Sequence, residues 1–362
     1  AMRAFGEPGD LVAGPEPSFA MIPIFARMNA LAYAGCMERP SHQPDIDALL
    51  ATKPKLLYLC SPNNPTGALL ARDTIKRALR DAPGVVFLDE AYAEFAGVSS
   101  IDLVKQHDRL LVIRTMSKAF GLAGLRIGYA IGQPSLVMEV EKSRGPYKLN
   151  AMAEQTALAA LQHDMPWVNE HIALAVTLRE RLAGELRTRG FAPLESHANF
   201  VCVPVPDCVN VGLALRELGV AVRPFPGLPH IGDALRISVG PWPLLERFLA
   251  AFATLIVVVG CGSSSNMEKT MLTANTVIID VRTPAEFAEG HVEGAINLDL
   301  EGGQFEAELP NLDPAQPYIV YCRSGRRSGV AVEIMKASGF TQITDYQTLE
   351  NAANNTGLPI IE

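Results

Sequence analysis

Short unbroken apolar blocks alternate with stretches of helical spacing along the first 150 residues. Leu56-Leu57-Tyr58-Leu59-Cys60 and Val85-Val86-Phe87-Leu88 are two such blocks. A run of this length with no in–out alternation suits a strand covered on both faces. The alternation predicts a parallel sheet with helices on both faces over residues 1–150. Residues 151–254 open on a long helix rich in Ala and Leu and continue through strands at 199–203 and 234–239, an α+β arrangement. From about Thr273 the pattern changes. Val277-Ile278-Ile279-Asp280-Val281-Arg282 reads as a buried strand, and Thr283 and Pro284 as the N-cap and first turn of a helix. Tyr318-Ile319-Val320-Tyr321 reads as a second strand, followed by a helix to about Ser338. Residues 269–362 are therefore expected to form a separate small α/β domain.

The junction is an apolar run over 248–260. It falls short of the ~20 residues a helix needs to cross a bilayer. A last helix is expected over 244–254 and a linker over 255–268. The stretch 255–265, an apolar core followed by Gly260, Cys261 and the serines 263–265, resembles the end of a bacterial lipoprotein signal placed inside the chain. That would give the last domain a periplasmic, lipoprotein-type origin and leave the first part cytoplasmic. The net charge of -8 argues against nucleic acid or an anionic membrane as partner. The six cysteines form no CxxC or Cys-His pattern, so no metal is expected. Cys36, Cys60 and Cys202 lie in apolar surroundings and read as reduced core residues.

The most informative segment is Thr115-Met116-Ser117-Lys118, with Arg126 eight positions beyond the lysine. A lysine amine can form a Schiff base with a cofactor aldehyde. Small hydroxyls and a guanidinium fork can hold a phosphate dianion. Upstream, Ser61-Pro62-Asn63-Asn64-Pro65-Thr66-Gly67 follows one predicted strand, where α/β sheets place ligands. Asp89-Glu90-Ala91-Tyr92 ends the next. A carboxylate there can pair with a protonated pyridine nitrogen.

In this order the three motifs resemble the fold-type I pyridoxal phosphate aminotransferases, nearest to the histidinol-phosphate branch. Pro17-Ser18-Phe19, Ser196-His197-Ala198-Asn199-Phe200, Val222-Arg223-Pro224-Phe225 and Leu235-Arg236-Ile237-Ser238 match it too, so the resemblance covers about residues 1–252. It implies a large domain with a three-layer parallel sheet and an α+β small domain, with pyridoxal 5'-phosphate as cofactor. Lys118 is then the Schiff-base lysine and proton shuttle. Asp89 pairs with the pyridine nitrogen, and Asn64 and Tyr92 bond the ring hydroxyl. Phe19 stacks on the ring, while Thr115, Ser117 and Arg126 hold the phosphate. Arg236 clamps the substrate carboxylate and Asn199 lines the substrate side. An amino donor and a keto acid are the implied substrates, and a homodimer the implied assembly. The chain begins where the resemblance expects a helix end well inside the enzyme. The N-terminal arm and a small-residue phosphate site at a helix N-terminus are expected to be missing, which would weaken cofactor binding and the dimer.

In the last domain, Cys322-Arg323-Ser324-Gly325-Arg326-Arg327-Ser328-Gly329 joins a strand to a helix. Successive loop amides can form a nest for an anion, and a helix N-terminus with arginines lowers a thiol pKa. With Asp280-Val281-Arg282, Gly290-His291 and Gly294-Ala295-Ile296-Asn297, this segment resembles the single-domain rhodaneses. The resemblance implies sulfur transfer from thiosulfate or another donor through a Cys322 persulfide, stabilised by Arg323, Arg326 and Arg327. Asp280, Arg282, Glu286 and His291 are expected to be structural. A cysteine phosphatase needs Cys-x5-Arg, which falls on Ser328. Residues 344–350 lack the Gly-Gly pair common in rhodaneses, a departure expected to touch only a surface loop. The chain as a whole is expected to be an aminotransferase of the histidinol-phosphate/2-oxoglutarate type joined to a sulfurtransferase. An aromatic amino acid aminotransferase, or sulfur transfer as the only activity, are the alternatives.

Overall fold

A computed structural model describes residues 1–145, 148–260, 276–323 and 325–361. It divides into two compact units, Ala1–Val258 and Val259–Glu362.

In the first unit the apolar blocks form the strands β1 (Leu11–Glu16), β2 (Ala32–Met37), β3 (Leu56–Cys60), β4 (Val85–Asp89), β5 (Leu110–Thr115) and β6 (Gly128–Ile131). They lie in the order β2-β1-β3-β4-β5-β6. All pairings are parallel except that of β5 with β6. Every residue of β3 is buried, because helices cover both faces. Leu57, Leu59, Val86, Leu88 and Val112 fill one face, packed on Ile75, Ala78 and Leu79 of helix Arg72–Asp81. Tyr58, Cys60, Phe87 and Leu111 fill the other. The chain order reverses direction at β1 and β3, and open α/β sheets bind ligands outside the carboxyl ends of strands at such a point.

Where the sequence predicts one long helix from residue 151, two form, Ala151–His163 and Met165–Thr188. Pro166 lacks the N–H that a continuous helix needs, so it sits in the first turn of the second one. The antiparallel strands β7 (Phe200–Pro204), β8 (Arg223–Leu228) and β9 (Gly232–Ser238) follow in the order β7-β9-β8. Their core includes Leu182, Leu186, Val201, Leu235 and Phe252. The last helix runs Trp242–Gly260, beyond the expected end at 254, because the apolar run holds no helix breaker. Residues 261–268 of the expected linker, with Cys261 and the serines that resemble a lipoprotein signal, lie outside the described residues. Among the described residues no helix is long and apolar enough to cross a membrane.

The second unit contains β10 (Val277–Asp280), β11 (His291–Val292), β12 (Ala295–Asn297), β13 (Tyr318–Cys322), β14 (Ile343–Thr348) and β15 (Ile360–Ile361). Four of them form a parallel sheet in the order β12-β10-β13-β14, while β11 pairs with β15. Thr283 caps its helix as expected and shares a capping box with Glu286. One expectation fails. Residues 344–350 are not a surface loop: they run from strand β14, paired along β13 up to Cys322↔Thr348, into helix Leu349–Thr356. Alternating β-branched and aromatic residues there favour the sheet.

Candidate active sites

The carboxyl ends of four parallel strands converge on one cavity of about 370 Å³, within the usual size of a small-ligand pocket. Phe19 arrives after β1, Asn64 after β3, Asp89 and Tyr92 from the end of β4, and Thr115, Ser117 and Lys118 from the end of β5. Arg126 and, from β9, Arg236 complete the lining. Nine residues singled out in the sequence therefore meet in one place. The tenth, Asn199, is not among the lining residues; its carbonyl accepts the Val239 N–H.

Asp89 lies at the end of the pairing Cys60↔Asp89. Its Oδ2 accepts Tyr58 Oη–H at 2.9 Å and its Oδ1 the Ala91 N–H at 3.0 Å. Burial raises the Asp89 pKa above the ordinary range, opposed by those two bonds and by the Lys118 charge. Such a carboxylate gains from a cationic partner. Lys118 shows the converse. Burial lowers its pKa, Arg236 lowers it further, and Asp89 acts against both. Its Nζ stands 5.3 Å from the centroid of the Tyr92 ring. Burial pushes Tyr92 itself up to about 12, so its hydroxyl keeps its proton at neutral pH.

The turn at 61–67 ties the sheet to the small domain. Arg236 Nη1 donates to Asn64 Oδ1 at 2.6 Å, and His197 N–H to the Gly67 carbonyl at 2.9 Å. Gly67 has φ +79°, and a Cβ there would meet Ser196 Oγ at 2.3 Å. Arg236 lies over Phe200 and Phe225, and its Nε is buried without a partner. A buried guanidinium N–H left open is a standing demand for an anionic acceptor. The Thr115 hydroxyl donates to the Ile127 carbonyl and accepts the Ser117 N–H, so much of its bonding capacity goes to shaping the loop. Arg126 gives one N–H to the Ala123 carbonyl, which leaves other donors of its fork free.

Sequence reading missed three neighbours. Tyr58, Cys60 and Arg114 look like core or surface positions in one dimension. Arg114 lines the cavity while pairing with buried Glu90 at 2.8 Å. A tyrosine two places before a strand end, on the same face as the residue opposite Asp89, is the one signal that could have pointed to Tyr58.

In the second unit, Cys322 ends β13 fully buried. Its Sγ accepts the Gly325 N–H at 3.1 Å and lies 3.7 Å from Ser328 Oγ. Gly325, at φ +85°, is the N-cap of helix Arg326–Ala337, so the positive end of that helix faces the sulfur's loop. The Gly325 N–H also bonds the Gln347 carbonyl at 3.1 Å. The segment without the Gly-Gly pair is thus in direct contact with the cysteine loop. Arg327 makes a two-pronged pair with Glu286 at 2.7 and 2.8 Å, and Arg326 bonds Glu301 at 2.6 Å. Arg327 holds the Glu286 carboxyl down at about 2. Arg323 is exposed, and Ser324 lies outside the described residues. Asp280 and Arg282 form a buried pair at 2.7 Å, and His291 stacks on Phe287.

Residues 1–252 match the family model described as aminotransferase class I and II, and residues 263–348 that of the rhodanese-like domain. The chain belongs to the aminotransferase class I and II family and carries a rhodanese-like domain after it. Among curated relatives, a histidinol-phosphate aminotransferase of Thermoanaerobacter pseudethanolicus is 36% identical over 243 residues, covering 66% of this chain and 69% of its own. That of Methylibium petroleiphilum is 39% identical over 258 residues, 69% of each. Among solved structures, the histidinol-phosphate aminotransferase of Sinorhizobium meliloti in complex with pyridoxal-5'-phosphate superposes with TM-score 0.65 at 24% identity, covering 71% of this chain and 73% of its own. The enzyme of Clostridium acetobutylicum gives 0.63 at 23%, covering 68% and 78%. Pyridoxal phosphate is the cofactor of this family. The cavity's chemistry fits it: a strand-end acid that gains from a cation, a lysine of lowered pKa, an open arginine N–H and a loop with small hydroxyls.

Proposed function

We propose that the aminotransferase part moves an amino group from histidinol phosphate to 2-oxoglutarate, or the reverse. The convergence of Lys118, Asp89 and Arg236 on one cavity carries this reading. When bound, pyridoxal phosphate supplies an electron sink for the carbon that loses its proton. Asp89 would hold the ring nitrogen, Asn64 and Tyr92 the ring hydroxyl, Phe19 the ring face, and Thr115, Ser117 and Arg126 the phosphate. Lys118, whose neutral amine is favoured by burial and by Arg236, would take the proton from the substrate α-carbon and hold it for return. Arg236 receives the keto acid's carboxylate on its open Nε and its fork. The donor preference follows the curated relatives; an aromatic amino acid is the second choice. The homodimer expected from the resemblance remains part of this proposal.

For the rhodanese-like domain we propose sulfur transfer. The Cys322 thiolate attacks the outer sulfur of thiosulfate, a new S–S bond forms, and sulfite leaves with the electron pair of the broken one. The persulfide anion accepts the Gly325 N–H and sits at a helix N-terminus. A thiol or cyanide then removes the outer sulfur and regenerates Cys322. Glu286 and Glu301 hold Arg327 and Arg326 beside the loop, where they supply background positive charge.

Two assays test these proposals on the full chain. Glutamate formation from histidinol phosphate and 2-oxoglutarate should require added pyridoxal phosphate, and should vanish in Lys118→Ala but not in Cys322→Ser. Thiocyanate formation from thiosulfate and cyanide should show the opposite pattern. An activity that survives its own substitution would overturn the corresponding proposal.

A further inference from the structure

One buried acid near the cavity has no part in the chemistry above. Glu38 follows β2 and is 3% exposed. Its Oε1 accepts from Asn63 Nδ2 at 3.1 Å, and its Oε2 is buried with no partner. Asn63, 1% exposed, is the centre of a small network. Its Nδ2 also reaches the Pro17 carbonyl at 2.9 Å and Thr66 Oγ1 at 3.1 Å, and its Oδ1 accepts Ser18 Oγ–H at 2.7 Å. Its backbone closes the 61–67 turn, with Asn63 N–H to the Ala68 carbonyl and Gly67 N–H to the Asn63 carbonyl, each at 2.8 Å.

The two ends of this network abut the cavity. Ser18 precedes Phe19 and Asn63 precedes Asn64, and both Phe19 and Asn64 line it. These walls come from different strands, β1 and β3, and the Asn63 side chain joins them. We infer that Glu38 is a positioning residue of the aminotransferase site, acting through Asn63 to hold the Phe19 and Asn64 walls in register.

The chemistry of the acid supports this. Asn63 Nδ2 has two hydrogens and three acceptors around it, so its orientation is decided by which acceptors are best placed. Glu38 selects the orientation that leaves Oδ1 facing Ser18. An ionised carboxylate with one bare oxygen in this environment is costly. Burial pushes the Glu38 carboxyl up to about 8, which favours its neutral form. A glutamine keeps the acceptor that faces Asn63 Nδ2, whereas a methionine of similar volume removes it.

The inference rests on the cofactor reading of the cavity, so the test has an arm independent of it. Hydrogen–deuterium exchange of the full chain without cofactor would be followed in the peptides around 16–20 and 61–67, for the parent, Glu38→Gln, Glu38→Met and Ser18→Ala. Fluorescence titration with pyridoxal phosphate runs alongside. Glu38→Met should speed exchange in both peptides and weaken cofactor binding by about tenfold, the equivalent of one net hydrogen bond. Glu38→Gln should restore both to within about twofold of the parent. Ser18→Ala cuts the same link at a half-buried position outside the core, so it keeps the test open should the methionine variant fail to fold. It should speed the first peptide and weaken binding. Unchanged exchange in Glu38→Met, or a Gln variant as impaired as the Met one, would overturn the inference. A parent that binds no cofactor would sink the cofactor reading alone, and the exchange arm would still decide the role of Glu38.

Discussion

Arg236 on β9 donates to Asn64 Oδ1 at 2.6 Å across 172 positions of sequence. One hydrogen bond thus joins the residue expected to take the substrate's carboxylate to the residue expected to touch the cofactor ring. A bond from a charged donor contributes about 1.5–3 kcal/mol net, enough to hold the two side chains together.

Arg236→Lys keeps the charge but loses the fork. KM for the keto acid should rise by about 10- to 100-fold, with a smaller change in kcat, in steady-state assays over keto acid concentration. Arg236→Gln should do more. It removes one of the influences that lower the Lys118 pKa. The acid limb of the kcat/KM profile should therefore move to higher pH in that variant.

Asp89→Asn moves the same limb the other way, because Asp89 is the charge that raises the Lys118 pKa. It would also remove the anion proposed to pair with the cofactor's ring nitrogen. Breaking a buried charge pair costs about 3–5 kcal/mol, so turnover should fall by roughly a hundredfold or more. Loss of the limb shift with full turnover would count against Asp89 as the ring partner.

Gly67→Ala should be destabilising. The residue sits at φ +79° and its Cβ would strike Ser196 at Oγ and at Cα. The strain of a non-glycine residue there costs about 1–3 kcal/mol. Denaturant unfolding should show that loss, together with weaker cofactor binding, since the 61–67 turn carries Asn64.

The Glu286–Arg327 pair gives the rhodanese-like domain an acid sensitivity. The Glu286 pKa is held at about 2, below its ordinary 4.5. Its stabilisation is complete above the unfolded value and is lost as pH falls from about 4.5 toward 2. Solvent reaches the pair, so the effect is on the order of 1 kcal/mol. In Arg327→Gln, the loss of stability between those pH values should shrink. An unchanged acid transition by circular dichroism would show that the pair contributes nothing.

The cavity residues were legible because each sits at the end of a strand whose fully apolar pattern survives in one dimension. Asp89 closes Val85-Val86-Phe87-Leu88, and Asn64 follows Leu56 to Cys60. Residues that depend on register between strands were not. Tyr58 reaches Asp89 only because β3 and β4 pair Cys60 with Asp89. Glu38 gains its Asn63 partner only through the fold of the 61–67 turn. The polar residues within 344–350 hide the pairing of β14 with β13. The break at Asp164 was visible as Pro166, but the apolar spacing on either side masked it.

The most direct measurement is the visible absorption of the purified full chain after pyridoxal phosphate is added and the excess removed, with Lys118→Ala alongside. A band from cofactor held covalently by Lys118 is predicted in the parent and absent in the variant. A parent without that band, or a variant that keeps it, would contradict the assignment of Lys118 and of the cavity built around it.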